Sequence, residues 1–179
     1  MGAVVYGISM RIALVILAQQ GFQDHEYEGT RKGLVDAGFG MVIASSTTGI
    51  CTGKFGSTVS ATVALKDVKV TEYDRIAFIG GPGAAAYASD PQALQIAHAT
   101  VRADLPLGAI CIAPTILAKA HVLENKKATV WDDGLGTQIA ILRDNGAIYT
   151  GDTVTVDGMI VTGNGPEAAE EFGRAFAAV

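Results

Sequence analysis

Cys111 is the residue of this chain best placed to act as a nucleophile. It lies in the segment LGAICIAPT over residues 107–115, where an apolar, strand-like run passes directly into good helix formers. A nucleophile at such a junction stands on a sharp, strained turn that needs small neighbours two residues away on either side. Ala109 and Ala113 meet that requirement. The pattern predicts a reactive cysteine; the alternative is a small buried thiol that does no chemistry.

The predicted position of Cys111 also bears on its acidity. The carboxyl end of a central strand is where open α/β sheets place their ligand sites. The thiol there faces the first N–H groups of the following helix, whose dipole favours a thiolate over a thiol. We therefore expect the pKa of Cys111 to lie below its ordinary value of about 8.5.

A glycine-rich loop follows a second apolar run, in the segment IAFIGGPGA over residues 76–84. Its backbone amides can turn toward one point and form an oxyanion hole. The alternative is a plain tight turn. The loop has neither the lysine of a phosphate-binding loop nor the spacing of a dinucleotide fingerprint, so no nucleotide site is predicted.

Two acids follow the first predicted strand, in the segment GFQDHEY over residues 21–27. Asp24 is the predicted N-cap of a helix, and Glu26 falls in its first turn. Glu26 points toward Cys111 if the strands that carry the two residues are neighbours. The alternative is that both acids only interact favourably with the helix dipole.

Tyr27, Trp131 and Asp132 complete the set of pocket residues proposed from the sequence. On residue type alone, Tyr27 or Asp132 would assist proton transfer near Cys111. Trp131 either lines the pocket above the sulfur or fills the core, and the sequence leaves both interpretations open. Cys51 follows a Gly-Ile step in a predicted loop or edge strand, so we expect a surface or interface thiol. No metal site is predicted.

The elements that must position these residues alternate between strands and helices. Parallel strands are predicted at Arg11–Ala18, Phe39–Ser45, Arg75–Ile79 and Pro106–Ile110, and helices at Glu26–Ala37, from Asp90 to about Ala103, and from Pro166 to about Ala178. An antiparallel excursion is expected at Lys54–Lys69, and a hairpin joins Val154–Val156 to Met159–Thr162 through Asp157–Gly158. This order indicates an α/β fold with a doubly wound, mostly parallel sheet and helices on both faces.

Composition limits the classes of partner. The chain has 179 residues, 49% of them hydrophobic, and a net charge of −5, which predicts one domain over residues 11–179 after a flexible extension over residues 1–10. No basic run exceeds Lys126–Lys127, so neither nucleic acid nor an anionic membrane is an expected partner. The longest apolar run, Ile12–Ala18, is too short for the roughly 20 residues of a membrane span. With two cysteines and no disulfide framework, a reducing cytoplasm is expected.

Taken together, these segments resemble the ThiJ/PfpI superfamily, which includes intracellular peptidase-like proteins and the parkinsonism-associated deglycase and redox-sensor protein. The likeness covers nearly the whole chain from Arg11 to Ala178. Its motifs are Phe22-x-Asp-x-Glu26, the Gly-Lys-x-Gly turn at Gly53–Gly56, Tyr73-Asp, Gly80-Gly-Pro-Gly83, Ala109-Ile-Cys111 and the Val156-Asp-Gly158 hairpin.

The resemblance implies a flavodoxin-like sheet and a homodimer. The net charge and the lack of a basic run favour a small-molecule or peptide substrate, and no cofactor is expected. The resemblance also implies that Cys111 is the elbow nucleophile and that Glu26 is the acid beside its sulfur. The amides of Gly81 and Ile112 are the implied oxyanion donors.

The chain departs from the family's histidine pattern. Peptidase-type members usually have a histidine directly after the cysteine, where this chain has Ile112. Deglycase-type members supply one from a later strand, where this chain reads TVWD over residues 129–132. His98 and His121 are predicted surface or packing residues, and His25 is predicted to point away from the cysteine. No histidine fits a triad.

Three functions follow from these observations. The first is a cysteine-dependent hydrolase or lyase acting on small reactive carbonyls or their adducts, as in a glyoxalase or deglycase. The second is a redox sensor or stress chaperone, in which Cys111 is oxidised to a sulfinate held by Glu26. The third is an intracellular peptidase or amidase, which the absent histidine disfavours because a leaving amine needs a general acid.

Overall fold

The computed structural model of the protein describes residues 9–179, so eight of the ten residues of the expected flexible extension lie outside the described residues. The strands are β1 (Ile12–Ile16), β2 (Gln20–Phe22), β3 (Gly40–Ser45), β4 (Gly49–Gly53), β5 (Thr58–Ala61), β6 (Val63–Ala64), β7 (Arg75–Phe78), β8 (Leu107–Ile110), β9 (Lys127–Ala128), β10 (Ile148–Tyr149), β11 (Val154–Asp157) and β12 (Ile160–Gly163). The α-helices are α1 (Asp24–Asp36), α2 (Pro91–Arg102), α3 (Pro114–Lys119), α4 (Thr137–Asp144) and α5 (Ala169–Ala178).

Within residues 9–179 the central sheet has seven strands in the order β11-β12-β8-β7-β1-β3-β6. All neighbouring strands are parallel except the hairpin pair β11 and β12. The predicted flavodoxin-like, mostly parallel α/β fold is therefore confirmed. Each of the four strands predicted from apolar runs is present and is somewhat shorter than its run, because the outer residues of each run belong to turns.

The central strands are hydrophobic along their whole length because both faces of the sheet are covered. On one face α1 and α5 contribute side chains such as Leu34 and Phe172 to the core. On the other face α2 and α3 contribute Ile96 and Leu117. Full burial of one such side chain stabilises the fold by about 1.5–3 kcal/mol, so these layers hold the strand ends that carry the site.

Helices α1 and α5 approach each other backbone to backbone. A Cβ added at Gly33 would overlap the carbonyl carbon of Gly173, and one added at Gly29 would lie 2.6 Å from the Cβ of Ala169. The close approach fixes the angle at which α1 leaves β2. It therefore also fixes the position of the acidic residues in the first turn of α1.

Two boundaries differ from the sequence-based expectations. Strands β4 and β5 pair in the antiparallel direction, but this pairing ends at Ala61, and β6 then joins the central sheet parallel to β3. In the hairpin, Asp157 pairs with Ile160, so the two-residue turn is Gly158–Met159 rather than Asp157–Gly158. Gly158 has φ 60°, and a glycine at the first position of a two-residue turn suits the twist of the strands.

The short elements α4, β9 and β10 had no predicted counterpart. Strands β9 and β10 form a small parallel sheet of two residues each, too short for a periodicity signal. Among the residues that the structure describes, no helix combines the length and apolar character needed to cross a membrane.

Candidate active site

Three loops converge where the order of the central sheet reverses. The chain moves from β1 to β3 on one side and later continues through β7 and β8 on the other. Ligands of open α/β sheets bind in the crevice at the carboxyl ends of the strands on either side of such a switch point. The first turn of α1, which follows β1 and β2, carries Glu26 to this crevice, and the loops after β7 and β8 carry Gly81 and Cys111.

Cys111 stands on a strained turn directly after β8. Its φ of 63° lies in the left-handed region, which costs a residue other than glycine about 1–3 kcal/mol and is found mainly at functional sites. Its N–H donates to the carbonyl of Gly163 at 2.9 Å, and its carbonyl accepts from the N–H of Trp131 at 2.9 Å. Ala109 and Ala113 are fully buried on either side. Hydrogen bonds to β12 and to the loop that follows β9 thus hold the turn in place.

Glu26 lies fully buried in the first turn of α1. Its Oε2 accepts a hydrogen bond from the N–H of Gly80 at 3.0 Å, and its carboxyl shares a hydrogen bond with the Cys111 thiol. Within residues 9–179, Oε1 has no nitrogen or oxygen partner. This buried acid therefore keeps one oxygen without a hydrogen-bond partner in the described part of the chain.

The glycine-rich loop needs its glycines for space as well as for backbone conformation. A Cβ at Gly80 would lie 2.6 Å from both the Cys111 Cβ and the Glu26 Oε2. Gly81 has φ 105°, and a Cβ there would lie 2.5 Å from the backbone nitrogen of Gln23. Only glycine lets the loop pass this close to the acid and the thiol.

Burial controls the acidity of the pair. It raises the pKa of Glu26 to about 7, although the hydrogen bonds from Cys111 and Gly80 and the charge of Lys54 lower it. Near neutral pH, the ionised and the protonated forms of a carboxyl group with this pKa are present in comparable amounts. That is the range in which a general base works best.

Burial also raises the pKa of the Cys111 thiol, to about 12, and the Glu26 carboxylate and its hydrogen bond add to this shift. Hydrogen bonds from the N–H groups of Gly81 and Ile112 lower the pKa but do not offset it. The expected low thiol pKa is therefore wrong. Burial and the neighbouring carboxylate outweigh the helix dipole, because α3 is short and begins three residues after the cysteine.

The sulfur opens onto a cavity of about 440 Å³. Its lining comprises Gln23, Lys54, Gly81, Pro82, Ala85, Cys111, Ile112, Trp131 and Pro166. Trp131, 40% exposed, therefore belongs to the cavity wall rather than to the core. Four predicted site residues thus meet around the sulfur: Cys111, Glu26, Gly81 and Ile112.

Two residues expected at the pocket lie outside its lining. Tyr27 is half-buried and packs edge-on against Phe22, with ring centroids 5.9 Å apart. Asp132 accepts hydrogen bonds from the amides of Gly134 and Gly136, both at 2.9 Å, and shapes its own loop. Against the effect of burial, these amides lower the pKa of Asp132, which makes it a poor proton donor at neutral pH.

Other expectations from the sequence also need correction. Gln23, not Asp24, caps α1, since its Oε1 accepts from the N–H groups of His25 at 2.7 Å and Glu26 at 3.4 Å. Cys51 is fully buried in β4 and is neither a surface nor an interface thiol of this chain. Its strand packs with the α1 layer of the core, a long-range contact that its local sequence does not encode.

All three histidines are exposed and lie outside the cavity lining. Gln23 and Lys54, by contrast, line the cavity but were not singled out as site residues. Lys54 lies in the Gly-Lys-x-Gly turn, which was the available signal in the sequence. Gln23 gave no signal, because its place depends on how α1 starts.

A left-handed turn that carries a cysteine at the switch point of a flavodoxin-like sheet, beneath an open cavity, defines the class of α/β proteins with a nucleophile elbow. The chain belongs to the DJ-1/PfpI family, whose sequence profile matches residues 10–179.

Two relatives and one solved structure illustrate the similarity. The chain is 30% identical to the glutathione-independent glyoxalase DJR-1.2 of Caenorhabditis elegans, over 92% of this chain and 86% of that protein. It is 29% identical to a deglycase of Thermococcus kodakarensis, over 86% of this chain and 90% of that protein. The crystal structure of a ThiJ/PfpI domain protein from Brachyspira murdochii superposes with a TM-score of 0.89 at 26% identity, covering 95% of this chain and 96% of that one.

Proposed function

We propose that the protein converts small 2-oxoaldehydes, or the adducts that release them, to 2-hydroxy acids without a cofactor. The observation that carries this proposal is the contact between a buried general base, Glu26, and the Cys111 thiol beneath an open cavity. The relatives named glyoxalase and deglycase support it. The protein's own thiol supplies the sulfur that such a reaction needs.

In the first step, the Cys111 sulfur adds to the aldehyde carbon as Glu26 accepts the thiol proton. The carbonyl π bond breaks, and Glu26 returns the proton to the resulting alkoxide to give a hemithioacetal. The N–H groups of Gly81 and Ile112, which already lie at the sulfur, stabilise the charge on that oxygen. General-base transfer of the thiol proton avoids the cost of forming a free thiolate in a buried site.

In the second step, Glu26 removes the hydrogen of the former aldehyde carbon as a proton, and an enediolate forms. A proton then returns to the adjacent carbon, leaving a thioester beside a secondary alcohol. One carbon loses two electrons and its neighbour gains them, so no external oxidant is required. Water finally hydrolyses the thioester, which releases the 2-hydroxy acid and regenerates the thiol.

This chemistry suits a site without histidine. No amine leaves, so the general acid that a peptidase takes from imidazole is not needed. One carboxyl group with a pKa near neutrality can carry the proton in each step. We therefore favour carbonyl chemistry over amide hydrolysis.

The test is lactate formation from methylglyoxal, because methylglyoxal disappearance alone also reports reaction with surface amines. We expect Cys111→Ser to abolish lactate formation and Glu26→Gln to lower it about 10²- to 10⁴-fold. Cys51→Ala removes the other thiol and serves as the control that should retain activity. Lactate formation at the wild-type rate in Cys111→Ser would overturn the proposal.

A second function, redox sensing through Cys111, is favoured by the buried Glu26 Oε1, which lacks a nitrogen or oxygen partner within residues 9–179. A protonated Glu26 would donate to a sulfinate oxygen and hold the oxidation at that stage. Mass spectrometry after graded peroxide should then show two added oxygens on Cys111 in the wild type. In Glu26→Asp, a shorter acid, oxidation should run on to three. Equal products in the two proteins would exclude this role.

A further inference from the structure

Two side chains with hydrogen-bond donors, Gln23 and Lys54, line the cavity above Cys111. Lys54 is the one charged side chain among the lining residues. Its side chain is exposed, and within residues 9–179 no carboxylate lies within ion-pair distance of its ammonium group. The positive charge of Lys54 also lowers the pKa of buried Glu26.

Hydrogen bonds fix the backbone of the turn that carries Lys54 at the cavity. The N–H of Lys54 donates to the carbonyl of Phe22 at 2.7 Å. Directly after Lys54 along the turn, the N–H groups of Phe55 and Ser57 donate to the two carboxylate oxygens of Asp24 at 2.9 and 3.0 Å. The Ser57 hydroxyl also donates to Asp24. This carboxylate ties the β4–β5 turn to the start of α1, beside Glu26.

Gln23 supplies the second donor. Its Oε1 is occupied by the cap of α1, where it accepts the N–H groups of His25 and Glu26. The amide is planar, so fixing Oε1 at the helix start also fixes the NH₂ group. Gln23 lines the cavity, and no acceptor for this NH₂ group lies within the described part of the chain. The side chain therefore presents a donor, not an acceptor, to a ligand.

Most of the other lining residues, such as Pro82, Ala85 and Trp131, have apolar or aromatic side chains. A neutral aldehyde uses the amides at the sulfur, but it offers neither a negative charge to Lys54, whose Nζ otherwise lies 5.4 Å from the centroid of the Phe55 ring, nor an acceptor to the NH₂ group of Gln23. A ligand with a carboxylate on its far end satisfies both of them. Charge-assisted hydrogen bonds of this kind are about twice as strong as neutral ones.

We propose that the preferred substrates are 2-oxoaldehydes bearing a carboxylate, which Lys54 Nζ and Gln23 Nε2 bind while the aldehyde carbon meets the Cys111 sulfur. This inference rests on the proposed function for the reaction, but the carboxylate site itself is independent of turnover. Lys54 and Gln23 thus determine specificity, and Asp24 positions Lys54.

The first experiment probes the carboxylate site without any catalysis. Cys111 is alkylated with iodoacetate or with its neutral counterpart iodoacetamide, and the ratio of the two rate constants is determined by mass spectrometry. We expect Lys54→Gln to lower the iodoacetate-to-iodoacetamide ratio about three- to tenfold, and Lys54→Arg to restore most of it. Any change in the ionisation of the thiol cancels in the ratio, because both reagents need the same sulfur.

Lys66→Gln is the matched control, since it removes the same charge from an exposed site outside the cavity. Added salt should reduce the wild-type ratio toward that of Lys54→Gln, as expected for an attraction between charges. If wild type, Lys54→Gln and Lys66→Gln give one ratio, the carboxylate site does not exist, whatever the enzyme turns over.

The second experiment compares turnover of 4,5-dioxopentanoate, which carries a carboxylate, with turnover of methylglyoxal. We expect wild type to have the higher kcat/KM for the carboxylate substrate, and Lys54→Gln to reduce the ratio of the two values about tenfold, mainly through KM. An equal ratio in both proteins contradicts the inference. A normal alkylation result with no turnover of either substrate would instead overturn the proposed function and leave an anion site beside Cys111.

Discussion

Replacement of Glu26 by Gln should change the pH dependence of Cys111 alkylation in a way that only a coupled pair produces. Above a pH of about 7, the wild-type pair has lost its first proton, and the second leaves only near pH 12. Between these values the pair keeps one proton, so its thiolate fraction is constant. The wild-type alkylation rate should therefore rise up to about pH 7 and then level off.

In Glu26→Gln the thiol titrates alone. Loss of a charge in contact lowers a pKa by about 1–3 units, which brings the thiol from about 12 to about 9–11. Below pH 7 the two proteins should react at similar rates, because in both the neighbour of the thiol is uncharged. Between pH 7 and pH 9 the alkylation rate of the variant should rise tenfold per pH unit, while the wild-type rate stays level. At pH 9 the variant should therefore react about 100-fold faster than wild type.

The assay is limited alkylation with iodoacetamide in a Cys51→Ala background, followed by peptide mass spectrometry from pH 6 to pH 9.5. Glu28→Gln is the matched control, an exposed acid on the same helix paired with Arg31, and should keep the wild-type plateau. A wild-type rate that keeps rising tenfold per pH unit beyond pH 7, together with a coincident Glu26→Gln profile, would refute the coupling.

Three further predictions concern stability and assembly. Because the folded-state pKa of Glu26 is raised from 4.5 to about 7, its contribution to stability is complete below about pH 4.5 and is lost as the pH rises through about 7. The free energy of unfolding of Glu26→Gln should therefore exceed that of wild type by up to about 3 kcal/mol at pH 8 and by almost nothing at pH 4.5. At pH 8 this is measurable as a Tm difference of about 6–12 °C. A pH-independent difference would contradict this reading of the site. Gly33→Ala should cost about 1–3 kcal/mol in urea unfolding, because the new Cβ overlaps the backbone of α5, whereas the exposed neighbour Val35→Ala should cost about 0.5 kcal/mol or less. If the two variants lost the same free energy of unfolding, α1 and α5 would be able to move apart without destabilising the fold. We also propose a homodimer, so light scattering at micromolar concentration should give twice the chain mass of 18.5 kDa, and a particle of 18.5 kDa would exclude it.

The sequence by itself determined the class of fold and the nucleophile's setting, because these depend on neighbours along the chain. Alternating apolar runs and helical segments are local patterns, and they predicted the parallel sheet correctly. The turn at Cys111 needs only a strand before it, a helix after it and small residues at 109 and 113. The glycines at 80 and 81 and the acid at 26 follow strand ends for the same local reason.

Only the tertiary structure decided how these parts act on one another. The adjacency of β1, β7 and β8 brings Glu26 into contact with Cys111, and strand order is set by long-range packing rather than by local sequence. Burial then reversed the expected direction of the thiol pKa, because desolvation of a charge outweighs the pull of backbone amides. The same long-range packing buried Cys51, left Tyr27 outside the cavity and placed Lys54 in the cavity wall. A side chain's environment depends on residues far away in the chain, so residue type and spacing identified the reactive groups but not which of them holds the proton.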